Sequence, residues 1–127
     1  MGKSTVEQLV AFQQTELDAV RLYQKLASLT KNEEDRKKLL SMAADEGRHA
    51  GILKGITGAQ LQPSDTLANI TAKFYKIGGK RFLFPFMSKF EIDSFFTYEK
   101  FFTEYPQISK IASDEIRHGH MLIGMLK

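Results

Sequence analysis

Cysteine and tryptophan are absent from this chain of 127 residues, and proline occurs only three times. Without cysteine the protein can form no disulfide, thiolate zinc site, iron–sulfur cluster or cysteine nucleophile. The longest stretch free of charged residues is the ten positions 55–64, whereas a membrane-spanning helix needs about 20 apolar residues. No secretory pattern is present either, so we expect a cytoplasmic protein without a membrane span. The net charge of +3 is too small to indicate nucleic-acid binding.

The first half of the chain has the pattern of two long helices. Ser4 and Glu7 form a capping box, in which each side chain can satisfy a free backbone N–H. Inward-facing residues then recur at steps of three and four as far as Leu29. Residues 30–32 are typical of a turn with a new helix cap, and the second periodic segment ends near Gly58. The short link predicts that the two helices are antiparallel.

The second half repeats this plan after a longer connection. A short amphipathic segment, roughly 66–77, is predicted to end at the glycine pair 78–79. A third long helix follows, with Pro85 expected in its first turn, and Pro106 separates it from a fourth. We find no convincing strand pattern. The sequence therefore predicts an all-α fold, an antiparallel four-helix bundle with a crossover connection between helices 2 and 3.

The two halves are related by an internal repeat, which predicts one domain over 1–127 built from two helix pairs. The pairs cover about 4–57 and 80–127 and are joined by 58–79. The repeated elements are Glu16 seven residues before Tyr23, matched by Glu91 before Tyr98, and Asp45-Glu46-Gly47-Arg48-His49, matched by Asp114-Glu115-Ile116-Arg117-His118.

Each long helix has a carboxylate at an inward position that an apolar residue would normally fill. Ionised carboxylates in an apolar core are costly unless a positive charge neutralises them. Glu and His three residues apart share one helix face, so one helix can supply an oxygen and a nitrogen ligand. Oxygen-rich ligation with one imidazole per metal favours iron(II) or manganese(II). We predict two iron ions, with manganese or a mixed pair as alternatives. The predicted metal ligands are Glu16, Glu46, His49, Glu91, Glu115 and His118.

Residues beside these ligands have the right chemistry for supporting roles. An aspartate before a ligand Glu can hold the second nitrogen of a ligand histidine from a neighbouring helix, and an arginine three residues on can pair with that aspartate. A tyrosine one heptad from a ligand Glu can donate to its carboxylate, although core packing explains the tyrosines equally well. These residues are Asp45, Asp114, Arg48, Arg117, Tyr23 and Tyr98.

The doubled motif resembles the rubrerythrin-like branch of the ferritin-like superfamily over nearly the whole chain. The resemblance implies a ferritin-like bundle with a di-iron centre held by the six predicted ligands. It also implies oxidation of two iron(II) ions by hydrogen peroxide or oxygen, as a peroxidase or ferroxidase in oxidative-stress defence or iron handling. Two departures matter. Ser94 stands where classical rubrerythrins have an additional Glu, and this cysteine-free chain carries no rubredoxin domain. We therefore expect an external electron donor, the alternative being a protein that simply passes electrons from iron to the oxidant.

Two other functions remain alternatives. A non-catalytic iron-binding or storage module would hold iron without turnover, and a di-iron hydroxylase would need an apolar pocket for an organic substrate.

Aromatic residues are concentrated in the third helix beyond what one buried face requires. Core packing and a homodimer interface are both consistent with this run, and we expect a homodimer. The neighbouring basic residues are more typical of a solvated face than of a membrane contact. The aromatic residues are Phe82, Phe84, Phe86, Phe90, Phe95 and Phe96, and the basic ones are Lys73, Lys76, Lys80 and Arg81.

Overall fold

The structure is a computed structural model that describes residues 4–127. Over this range it contains four helices and no strand, which confirms the predicted all-α, four-helix fold class. The chain divides into two compact units, one extending to Ala72 and the other Lys73–Lys127. The helices are α1 (Thr5–Leu29), α2 (Glu33–Thr57), α3 (Thr66–Glu99) and α4 (Ile108–Gly124).

Side-chain caps define the helix boundaries in the first unit. The backbone N–H of Glu7 donates to Ser4 Oγ at 3.1 Å, so half of the predicted capping box is formed. The side chain of Asn32 caps α2 by accepting from the N–H of Asp35 at 2.9 Å. Helix α2 ends at Gly58, whose φ of 70° is the left-handed conformation that favours glycine. The predicted turn and both predicted ends of α2 are therefore confirmed.

The connection after α2 is held along α1 by hydrogen bonds. Gln14 Nε2 donates to the carbonyl of Gln62 at 2.9 Å, and Asp18 Oδ1 accepts from the N–H of Ser64 at 2.8 Å. Further along, Arg21 pairs with Asp65 at 3.1 Å. Because successive residues of the connection meet successive turns of α1, this segment runs in the same direction as α1.

Helix α3 is interrupted at Gly79, which has φ 69° and ψ −174°. The interruption confirms the predicted stop at the glycine pair. Pro85 lies six residues beyond Gly79, so the expectation that it occupies the first turn is wrong by about one turn. A proline in the second turn of a helix has no N–H, so the carbonyl one turn earlier loses its helical hydrogen-bond donor.

In the second unit, α4 packs antiparallel to the part of α3 that follows Gly79. Ser88 Oγ donates to the carbonyl of Gly119 at 2.8 Å, and Arg81 donates to the carbonyl of Leu126 at 3.0 Å. The helices approach so closely at Gly119 that a Cβ there would lie 2.5 Å from Ile92 Cγ1. Glycine is therefore what permits this contact.

Candidate metal centre

Two carboxylates and one imidazole lie together in the core of the first unit. Helix α1 supplies Glu16, and one face of α2 supplies Glu46 and His49. His49 Nδ1 is 3.3 Å from Glu16 Oε1 and 3.1 Å from Glu46 Oε1. Each side chain is at most 3% exposed. Because each offers one ligand atom within 4.8 Å of the others, the three form a compact donor group, which we call the first triad.

The second unit contains the same arrangement, here called the second triad. Helix α3 supplies Glu91, and α4 supplies Glu115 and His118. His118 Nδ1 lies 3.4 Å from Glu115 Oε1 and 3.8 Å from Glu91 Oε2. All three side chains are buried. The sequence repeat is thus matched by a repeat in geometry within each unit.

Burial and neighbouring charge shift the pKa of His118 in opposite directions. Burial lowers the pKa of His118 because a low-dielectric surrounding disfavours the imidazolium, but hydrogen bonds and charge interactions with Glu115 and Glu91 raise it more. The net effect is a pKa above the ordinary histidine value. Without metal, the two glutamates therefore hold a proton on this imidazole more firmly than an ordinary histidine would hold it.

The aspartate beside each triad is buried and paired with cations that reach in from the surface. Arg48 hydrogen-bonds to Asp45, as the sequence predicts. Asp114 accepts from Arg117 at 3.2 Å and also from Lys110 at 2.9 Å. The second of these pairs has no counterpart in the first unit, since the position four residues before Asp45 is a serine.

Both predicted tyrosines are buried in the core, like the six triad residues. Each tyrosine lies one heptad after a triad glutamate. Tyr23 is 2% exposed and Tyr98 is 5% exposed. Their burial fits both core packing and donation to a carboxylate, so the supporting role of the tyrosines stays a prediction.

Each triad has a buried polar neighbour that the sequence analysis missed. Gln13 lies three residues before Glu16, accepts from the hydroxyl of Thr57 at 2.5 Å and donates to the carbonyl of Ala59 at 3.0 Å. In the second unit the corresponding residue, three before the first glutamate, is Ser88 with its bond to Gly119. The repeated spacing could have identified this pair.

The donor set fits divalent cations. Each triad combines two buried carboxylates with one imidazole, and no lysine or arginine among residues 4–127 is buried. Concentrated buried negative charge of this kind is stabilised by metal ions or by protons. Iron(II) accepts both donor types.

Comparison with known families gives the same class of protein. A family model described as rubrerythrin matches residues 9–77, more than half of the chain. The chain therefore belongs to the rubrerythrin family. The match includes the first triad and ends before Glu91. No curated protein and no solved structure matches the chain. The family and the donor groups together support a metal-binding protein of the rubrerythrin family.

The aromatic run in α3 divides between core and surface. Phe84 is buried and Phe95 is half-buried, whereas the others are exposed; these are Phe82, Phe86, Phe90 and Phe96. The homodimer expected from this run stays a prediction. Within residues 4–127, none of the helices has the length and apolar character needed to cross a membrane.

Proposed function

We propose that the two triads together hold two iron ions and that the protein reacts this pair with hydrogen peroxide or oxygen. Glu46 and Glu115, each with a histidine on its own helix, are the proposed bridging ligands. Glu16 and Glu91 are the proposed terminal ligands. The observation that supports this most strongly is the burial of a Glu–Glu–His group in each unit, although no lysine or arginine among the described residues 4–127 is buried.

Charge balance favours two metal ions. Four ionised glutamates and two neutral histidines bring four negative charges, which two divalent cations neutralise. The same count explains the doubled sequence motif, because one triad alone supplies ligands for only one ion. The family match over 9–77 and the sequence repeat are the grounds for assigning both triads to one centre.

In the proposed reaction, bound iron(II) supplies Lewis acidity and two electrons, enough to reduce one hydrogen peroxide to two water molecules once two protons are added. The protein contributes by keeping the donor atoms close together and out of bulk water. The helices that carry the triads also bury apolar side chains completely, and these side chains would help to keep water from the metals; they include Leu9, Met42, Leu53, Ile111 and Leu122. The terminal glutamates are the ligands we expect to shift as the charge on the metals changes.

Regeneration of iron(II) requires an electron source outside this chain. The sequence has no cysteine for a rubredoxin-type centre. Ser94, whose hydroxyl donates to the carbonyl of Phe90 at 3.0 Å, replaces the additional glutamate of classical rubrerythrins. We therefore infer an external donor and a peroxide cycle that does not use a ligand at position 94. A cytoplasmic location is part of the same proposal.

The test begins with anaerobic titration of the metal-free full chain with iron(II). We expect two ions per chain, followed by oxidation when peroxide or oxygen is added. Failure to bind any iron would overturn the proposal. Binding and a single oxidation, with no further turnover when a chemical reductant is supplied, would instead identify a non-catalytic iron-binding module.

A further inference from the structure

Three exposed aromatic side chains lie in contact around the break in α3, and a fourth exposed apolar residue lies in the same segment. Phe74 and Phe82, on opposite sides of Gly79, have ring centroids 6.3 Å apart, and Phe86 packs against Phe82 at 5.7 Å. Ile77 lies in the same segment and is 84% exposed. We call Phe74, Ile77, Phe82 and Phe86 the kink cluster. Exposed apolar side chains in mutual contact are typical of an interaction surface.

The kink cluster is fixed in place by packing around the break. Phe82 covers Gly78 so closely that a Cβ on this glycine would lie 2.7 Å from the phenylalanine side chain. Across the same break, Tyr75 stacks on the buried Phe84 with centroids 6.3 Å apart. A surface that is already formed loses little conformational entropy when a partner covers it.

The charge around the kink cluster has one sign. Lys73, Lys76, Lys80 and Arg81 belong to the same segment, and no acidic residue occurs between Asp65 and Glu91. Lys73, Lys76 and Arg81 are exposed. A second copy of this chain seated on the kink cluster would bring a second set of four cations against the first, so charge opposes that arrangement. An apolar surface edged with anionic groups is the complementary partner.

We propose that the kink cluster docks onto the surface of a membrane that contains anionic phospholipid. The four apolar side chains enter the boundary between headgroups and acyl chains, and the basic side chains contact the phosphates. Peripheral membrane binding needs both contributions, apolar insertion and electrostatic attraction. It requires no spanning helix and is independent of the proposed iron chemistry.

Co-sedimentation of the full chain with vesicles tests the proposal. One set of vesicles is phosphatidylcholine alone, and the other contains about a third phosphatidylglycerol, an anionic lipid. We expect binding to the anionic vesicles that weakens as salt rises, and binding at least about tenfold weaker to the neutral ones. Equal binding to both, or binding to neither, would overturn the proposal.

Paired variants locate the contact. Phe86→Ser should weaken vesicle binding about tenfold. Phe96→Ser, which removes an equally exposed ring from the same helix outside the cluster (66% against 64%), should not. Lys73→Gln with Lys76→Gln should weaken it about thirtyfold. The exposed pair Lys37→Gln with Lys38→Gln on α2 changes net charge equally and should have little effect.

Two outcomes would assign the kink cluster to another partner. If Phe86→Ser changes the oligomeric state in sedimentation equilibrium and leaves vesicle binding intact, a second copy covers the surface. If only the lysine variant weakens binding, the surface recognises polyanions by charge and the proposed insertion is wrong. Thermal unfolding confirms that each variant is folded.

Discussion

Glu46 is 1% exposed and lies within about a hydrogen-bond length of His49, with Glu16 beside the same imidazole. Two carboxylates buried side by side in a core repel each other. They therefore favour metal binding and lower the stability of the folded protein without metal.

Glu46→Gln keeps the shape of the side chain and removes its charge. We expect cooperative loading of two iron ions to be lost, because the proposed bridging ligand is a poorer donor as an amide. We also expect the metal-free protein to become about 1 kcal/mol more stable, because one buried negative charge is gone. Anaerobic iron titration and thermal unfolding without metal measure the two effects.

Glu34→Gln is the matched control, because Glu34 lies on the same helix and is exposed. It should leave both iron loading and stability close to those of the parent. Full loading of the Glu46 variant with two ions would contradict its assignment as a bridge.

The burial of the triad residues could be predicted because a glutamate at an inward helix position conflicts with its surroundings and so stands out in the sequence. Gln13 and Ser88 could not be found in the same way. An uncharged polar residue on a helix is compatible with a surface position, and the fold alone brings these two near their partners, which are the carbonyls of Ala59 and Gly119 and the hydroxyl of Thr57.

At the scale of elements, the closest helix–helix contact is testable. Gly119→Ala should destabilise the protein by about 1–3 kcal/mol, because the new Cβ would clash with Ile92 and lie 3.1 Å from the carbonyl oxygen of Ser88. Gly51→Ala on α2 has no atom within 4 Å and should stabilise by about 0.5–1 kcal/mol through better helix propensity. Chemical denaturation of the metal-free variants gives both values, and equal effects at the two glycines would contradict the packing argument.

The cap of α2 gives a second prediction. Asn32→Ala removes the side-chain oxygen that accepts from the N–H of Asp35. We expect a loss of about 1 kcal/mol and a fall in Tm of about 4 °C. Lys31→Ala changes an exposed neighbour and is the control. A similar fall in both variants would show that the cap bond contributes nothing specific.

Elements with strong periodicity and clear caps were predictable, whereas their connections were only partly so. The ends of α2 follow from Asn32 and Gly58, residues whose backbone preferences are strong. The path of residues 58–65 along α1 depends on bonds such as those of Gln14 and Asp18, which have no local sequence pattern. The sequence predicts Pro85 in the first turn of its helix, but it lies about one turn further in, because the preference of proline for the first turn is only a tendency.

For the whole molecule, we expect iron to act as a stabilising ligand. A ligand that binds only the folded state at one hundred times its Kd adds about 2.7 kcal/mol. For a chain of this size that corresponds to a rise in Tm of about 10 °C. Anaerobic calorimetry with and without iron(II) measures the rise, and the Glu46→Gln variant should lose most of it. An unchanged Tm at saturating iron would contradict burial of the ions in the core.

The fold class was predictable for the whole molecule because apolar residues recur at steps of three and four in both halves and no segment has a strand pattern. The outward direction of the phenylalanines in α3 was not, since a helix rich in aromatic residues on several faces gives no unique buried side.

The interruption of α3 at Gly79 also affects how the protein opens in its native state. Helical hydrogen bonds reinforce one another only along an unbroken ladder, and the conformation of Gly79 ends that ladder. Amide hydrogen exchange should therefore show residues 66–78 and 80–99 opening as separate cooperative segments, each with its own protection, although they form one continuous stretch of chain.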